Sequence, residues 1–207
     1  MSSKEGHKGL LFVMSAPSGA GKTSICSAVL ERLPGLRHSI SYATRTMRAG
    51  EQDGVDYHFV SMETFKEMVA AGEFVEWAEV HGNCYGTARK PIEEASSLGI
   101  DILLDIDVQG AAQLRASGLD GVYIFILPPN LAELRRRLVG RNSDSEAIIA
   151  RRLDNAAGEI AEAGHFDYLV VNSDLEQAVG TVQAIMQAEK HRTVRAIGGL
   201  PVEFGLK

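Results

Sequence analysis

The chain has 207 residues, 45% of them hydrophobic and 23% charged, enough to bury a full core in one domain with small inserted lobes. Its 27 acidic against 21 basic side chains leave a net charge of −6, which excludes a general attraction to nucleic acid or to an anionic membrane surface, so any basic cluster has to serve locally. Cys26 and Cys84 are too isolated for a disulfide framework or a metal site, and the polar stretch Met1 to Lys8 carries no apolar leader, so a cytoplasmic location is expected.

The apolar run Leu10 to Met14 predicts a strand, and Ile25, Val29, Leu30 and Leu33 mark the buried face of a helix that stops at Pro34-Gly35. Between them lies Ala16-Pro17-Ser18-Gly19-Ala20-Gly21-Lys22-Thr23, a phosphate loop of the form G-x-x-x-x-G-K-[ST] with alanine at the first glycine position. Its glycines let backbone N–H groups turn inward, the helix start supplies unpaired donors, and Lys22 arrives where phosphate charge collects. Ala16 fits if its φ is negative. The alternative is a strand-to-helix turn with no ligand.

From Arg37 to Tyr57 helical periodicity is lost, and short β-prone pieces (38–43 and 57–60) flank a turn-rich segment, which predicts a small sheet with loops. Ser61 can cap a helix that turns Phe65, Met68 and Val69 inward and ends at Gly72. Residues 73–81 then alternate as a strand, with Phe74, Glu76, Ala78 and Val80 on one face, so that Glu76 needs a partner among apolar neighbours. Pro91 sits in the first turn of a helix ending near Gly99, and 100–106 reads as a buried parallel strand carrying Asp105 and Asp107 at its end.

Helix 108–117, strand 122–127 and helix 131–139 follow, the alternation of a doubly wound α/β sheet. Helix 146–163 carries a stripe at Ile149, Leu153, Ala156 and Ile160 behind a capping box of Ser143 and Glu146. Strand 168–171 and a last helix starting at Ser173, boxed by Glu176, complete the pattern, with 191–207 as a tail.

Four groups of residues carry chemistry. Lys22 and Thr23 with Asp105 at a strand end resemble the place where a phosphate-loop protein holds Mg²⁺, although Asp105 could instead be a capping acid. Arg45 and Arg48, followed by Tyr57, can surround a second phosphate with forked donors; solvated surface arginines are the alternative. Glu76, Tyr85, Thr87 and Asp107 supply carboxylates beside hydroxyls, which suits the N1–H and 2-amino donors and the O6 acceptor of guanine. The arginines 135, 136, 137, 141, 151 and 152 offer positive charge that could arrive on closure, with Arg135, Arg136 and Arg151 the first to be read as solvated.

Taken together, 15–23, Ser-x-x-Thr-Arg-x-x-Arg (41–48), Gly-x-Asp-Tyr-x-Phe (54–59), Glu-Phe-Val-Glu-Trp-Ala (73–78), Tyr-Gly-Thr (85–87) and Leu-Asp-Ile-Asp-x-Gln-Gly (104–110) resemble a guanylate kinase of the bacterial type over roughly residues 8–190. The resemblance implies ATP plus GMP giving ADP plus GDP on a P-loop nucleoside monophosphate kinase fold: a parallel sheet core (8–36, 91–138 and 164–190), a small mixed β GMP-binding lobe (37–90) and a helical lid (139–163). It also implies that Arg45, Arg48, Tyr57 and Tyr85 hold the GMP phosphate and that Ser41, Glu76, Thr87 and Asp107 read guanine. Lys22 would bridge the donor phosphates, Arg141 and Arg152 would complete the transition-state clamp, and Asn172 would lie near the adenine of ATP.

Departures are Ala16, Met47 in place of proline, and Thr87 in place of serine; none removes a chemical function. A phosphopeptide-binding module on the same scaffold is the rival reading, and Lys22, Thr23, Asp105, Arg141 and Arg152 together argue against it. The expected partners are ATP and GMP, without nucleic acid or membrane, and the sequence leaves a homodimer open.

Overall fold

The computed structural model describes residues 8–80, 82–140 and 146–193. Strand β1 (Leu11–Ser15) is buried along its whole length, and its alternation sends Phe12 and Met14 to one face and Leu11 and Val13 to the other. Helix α1 (Lys22–Arg32) follows the glycine loop and turns Ile25 and Val29 onto the Phe12 side. After a turn at Pro34-Gly35 the chain enters β2 (Leu36–His38), which pairs in parallel further along the same sheet.

A second sheet is built from β3 (Tyr42–Ala43), β4 (His58–Phe59), β5 (Phe74–Val80) and β6 (Asn83–Ala88), in the order β4-β3-β6-β5, with β3 and β4 parallel and the other pairs antiparallel. Between β4 and β5 runs α2 (Met62–Ala70), capped by Ser61, whose hydroxyl accepts the Thr64 N–H at 3.0 Å. Phe65 from this helix stacks on Phe74 and, with Cys84, makes a small core separate from that of the first sheet.

The chain then returns through α3 (Arg89–Ser97), β7 (Asp101–Asp105), α4 (Val108–Ala116), β8 (Val122–Leu127), α5 (Leu131–Val139), α6 (Glu146–Ala161), β9 (Tyr168–Val171) and α7 (Leu175–Lys190). The main sheet has five parallel strands in the order β2-β7-β1-β8-β9. Helices α1 and α7 pack on its Phe12 face, α3 and α4 on its Leu11 face. Leu134 and Leu138 of α5 meet Ile149 and Ala156 of α6 in a further cluster. Lys190 closes the chain end against the sheet through a 2.5 Å ion pair with Asp101, whose other oxygen accepts the Leu10 N–H at 2.8 Å.

This is the expected α/β architecture, a parallel sheet flanked by helices beside a small mixed sheet, with four local corrections. Leu36–His38 belongs to the main sheet, since Leu36 is buried in its core, so the second sheet begins only at Tyr42. Strict alternation along 73–81 fails because an extra residue interrupts the β5–β6 ladder between Phe74 and Glu76. That bulge puts Phe74 and Trp77 on the Phe65 side and leaves Val75 in the main core. Asp107, not Asp105, is the capping acid after β7: its Oδ1 accepts the Gly110 N–H at 2.8 Å. The last helix is capped by Asp174, which accepts the Gln177 N–H at 2.9 Å, in place of Ser173. Arg141 and the Ser143 half of the proposed capping box lie outside the described residues, as does the tail beyond Thr193.

The cap correction is directly measurable. Asp174→Ala is expected to lower unfolding stability by about 1 kcal/mol in urea titration, and Ser173→Ala to leave it within about 0.3 kcal/mol. The reverse ranking would restore Ser173 as the cap.

Candidate active site

In a sheet of parallel strands the open backbone ends and loops gather at the strand C-termini, and ligands bind there. β1 ends in the glycine loop and its neighbour β7 ends at Asp105, with Met14 and Asp105 paired in register. Gly21, immediately before helix α1, has a left-handed φ of 97°, and no side chain caps the helix's first turn. Those first-turn N–H groups are therefore open to an anion. An added Cβ at Gly21 would stand 2.4 Å from the Asn172 amide nitrogen, so glycine is required by contact as well as by φ.

The loop is held from behind. Asn172 Nδ2 donates to the Ala20 carbonyl at 2.8 Å, and Arg137 donates to the same carbonyl at 3.2 Å and to the Asn172 carbonyl at 2.9 Å. Glu133 fixes Arg137 in turn, at 2.8 Å. Asn172 is buried, and its side chain supports the loop. Ala16 and Ala20 pack into the main core.

Lys22 reaches out of this loop to Asp105, 2.5 Å away, and donates to the Ile106 carbonyl at 2.8 Å. Burial alone would lower the ammonium's pKa; the adjacent Asp105 carboxylate outweighs it and leaves the pKa raised, so Lys22 is charged. Thr23, the next residue, shares the same cleft with Asp105. The cleft, about 290 Å³, is also lined by Glu76 and Tyr85 of the second sheet, by Ser41 and Tyr57 beside its strands, and by Asp107.

Glu76 is buried and takes a short hydrogen bond from the Thr87 hydroxyl, which is itself fully buried behind it. Burial pushes the Glu76 carboxyl up to about 7, with the Asp107 charge adding to the rise and the Thr87 bond opposing it. Tyr57 and Tyr85 meet edge to face with ring centres 5.9 Å apart. The Arg45 guanidinium lies 4.9 Å over the Tyr57 ring and pairs with both oxygens of Glu51 at 2.6 Å. Glu51 also accepts the Arg48 N–H at 2.8 Å, and these bonds, that from Arg45 foremost, hold its carboxyl down at about 2. The hydroxyl of Thr44 anchors this turn by accepting the Cys84 N–H at 2.8 Å. Met47 and Arg48 are exposed at its tip.

From the other side, Glu159 of α6 accepts the Ser18 N–H of the loop at 3.3 Å. Arg152, two turns earlier on α6, is half-buried, while Arg151 is exposed. The structure thus gathers Lys22, Thr23, Ser41, Tyr57, Glu76, Tyr85, Asp105 and Asp107 on one cleft, sets Thr87 behind it, puts Arg45 against Tyr57, and places Asn172 behind the loop. Sequence reading missed Glu51, Glu159 and the support given by Arg137. Glu51, three residues after Arg48 in a turn, carried a local signal; Glu159 and Arg137 depend on contacts across more than a hundred residues.

Comparison with known proteins follows this geometry. A family model described as guanylate kinase matches residues 8–189. A guanylate kinase of Geobacter metallireducens is 53% identical over 199 residues, covering 96% of this chain and 98% of that protein. One from Syntrophotalea carbinolica is 59% identical over 187 residues, covering 90% and 89%. The crystal structure of guanylate kinase from Anaplasma phagocytophilum superposes with a TM-score of 0.76 at 36% identity, covering 93% of this chain and 92% of that one.

The displaced Glu76 carboxyl predicts a pH dependence of stability. Its folded pKa, about 7, exceeds the ordinary 4.5, so between these values the folded state holds the extra proton. Stability is complete below pH 4.5 and falls as pH rises to about 7, by roughly 2–3 kcal/mol from this group. Glu76→Gln should abolish that component, gaining on the wild type across the interval in urea titrations. Parallel profiles for the two proteins would contradict it.

Proposed function

The chain belongs to the guanylate kinase family, and we propose that the cleft between its two sheets is where its two nucleotides meet. As a member it is an enzyme that transfers a phosphoryl group from ATP to GMP, giving ADP and GDP. The observation that carries the site assignment is the convergence of the phosphate loop with Glu76, Tyr57 and Tyr85 on one cleft.

The donor half is the loop 16–23. ATP phosphates take the uncapped N–H groups at the start of α1, and Lys22 bridges them with its charge. Asn172 and Arg137 keep the Ala20 peptide from yielding as the phosphates seat. The acceptor half is the second sheet. Arg45 and Arg48, with the phenols of Tyr57 and Tyr85, take the GMP phosphate, and Ser41, Glu76, Thr87 and Asp107 read the base. The N1–H and 2-amino group of guanine meet the Glu76 carboxylate; adenine would leave that carboxylate unpaired.

Transfer needs no general base, because the attacking GMP phosphate oxygen is already anionic and requires alignment and neutralisation of charge. Arg152 supplies positive charge from α6, and Arg141, outside the described residues, is assigned the same role. Segment 37–90 acts as the GMP-binding lobe and 139–163 as a lid that excludes water on closure over the core.

Mg²⁺ fits this donor set. Thr23 and Asp105 bring two oxygen ligands to one cleft, the share a protein gives Mg²⁺ when phosphates and water complete its shell. Among the described residues no group of three His, Cys, Asp or Glu side chains forms an all-protein metal site. Once bound, the ion would supply positive charge that offsets that of the phosphates.

The reading also keeps the protein in the cytoplasm, apart from nucleic acid and membranes, with a homodimer as the assembly to test. No helix among the described residues is long and apolar enough to cross a membrane.

In a coupled assay offering ATP with GMP, AMP, CMP or UMP, ADP release should depend on GMP and stop when Mg²⁺ is chelated. Lys22→Ala should retain GMP affinity within about two-fold and lose at least ~100-fold in kcat. Undiminished turnover would remove Lys22 from the donor site.

A further inference from the structure

β5 is the outer strand of the second sheet, and on its open side it has a partner that is not a strand. Gln113 of α4 accepts the Trp77 N–H at 3.1 Å through its amide oxygen and donates to the Trp77 carbonyl at 2.8 Å through its amide nitrogen. One side chain thus satisfies both outward backbone groups of Trp77, as a neighbouring strand would. The residue before Trp77 is Glu76.

Two features make this contact matter at Glu76. The β5–β6 ladder is interrupted immediately before it, so pairing with β6 alone restrains its position less firmly. The same helix also meets Glu76 from below: an added Cβ at Gly110 would stand 2.5 Å from Glu76 Oε2, and Asp107 holds that turn through the Gly110 N–H. Glu76 therefore sits between the Thr87 hydroxyl and the first turn of α4, at a depth set by how closely β5 approaches the helix.

We propose that Gln113 is a positioning residue for guanine recognition: by tying Trp77 to α4 it holds the Glu76 carboxylate where the N1–H and 2-amino group of the base can reach it. The proposal rests on the reading of Glu76 as the guanine acceptor. Gln113 acts through the strand, with no contact of its own to the nucleotide.

The test compares kcat/KM for GMP with that for IMP, which lacks the 2-amino group, in the full chain and in Glu76→Gln, Gln113→Leu and Gln113→Glu. Gln113→Leu is expected to raise KM for GMP about 5–10-fold and to narrow the GMP-over-IMP preference several-fold, with KM for ATP and the thermal midpoint unchanged. Gln113→Glu keeps an acceptor for the Trp77 N–H and loses the donor, so it should fall between, and it carries the comparison if the leucine variant fails to fold. A preference unchanged by both Gln113 substitutions, beside its collapse in Glu76→Gln, overturns the positioning role alone. A preference unchanged in Glu76→Gln overturns the guanine reading, and the positioning role with it.

Discussion

The ion pair between Lys22 and Asp105 is the contact on which the site depends. It joins the first residue of α1 to the last residue of β7, so the two halves of the cleft share one electrostatic centre. Parallel pairing of β1 with β7 sets the distance, because Met14 and Asp105 are register partners. Burial favours a neutral lysine and Asp105 reverses that preference, which keeps a positive charge in a half-buried place. Beyond Asp105 the chain runs through Ile106, whose carbonyl takes a second bond from Lys22, and Asp107, which starts α4. Lys22 and the helix that lies against Glu76 are thereby positioned by the same few residues.

Three of the groups around the cleft are held by carboxylates of the protein. Asp105 holds Lys22, Glu51 holds Arg45 with the Arg48 N–H, and Glu159 holds the Ser18 N–H. Such pairs offset the repulsion between neighbouring cations and fix the donors in place, and on the proposed reading that is electrostatic preorganisation for an anion. They differ in strength. The Arg45–Glu51 pair is bidentate and stacked on Tyr57, whereas the Glu159 contact is a single bond of 3.3 Å from a helix whose apolar residues pack on α5.

The legible part of this molecule was the part encoded locally. The strand, glycine loop and helix at 10–33 announce themselves by composition and period, and the buried runs at 100–106 and 122–127 do the same. The cleft residues were readable because each sits in a short motif whose chemistry suits a phosphate or a base. What escaped has a different origin. The β5 bulge comes from fitting Val75 into the main core while Phe74 fills the smaller one, a conflict between two clusters that alternation along one strand cannot express. Asp174 displaced Ser173 as the cap because both residues are competent acceptors and the exit from β9 decides between them. The bond from Asn172 to the Ala20 carbonyl could not be read locally, because it spans the chain and depends on the pairing of β8 with β9.

The bulge ties these threads to selectivity. Had β5 alternated regularly, Phe74 would share a face with Glu76; the extra residue turns Phe74 to the Phe65 cluster and leaves Glu76 against α4 and the Thr87 hydroxyl. A carboxyl in that place is costly to ionise, which is why it rises to about 7. On the proposed reading, a base with two adjacent donors offsets that cost and one without them does not. The same burial that weakens the free fold at neutral pH therefore sharpens the choice of base. It follows that substitutions removing the buried carboxyl of Glu76 should, on the same reading, stabilise the protein and blunt its discrimination together, the trade expected where a binding group is kept under-solvated for use.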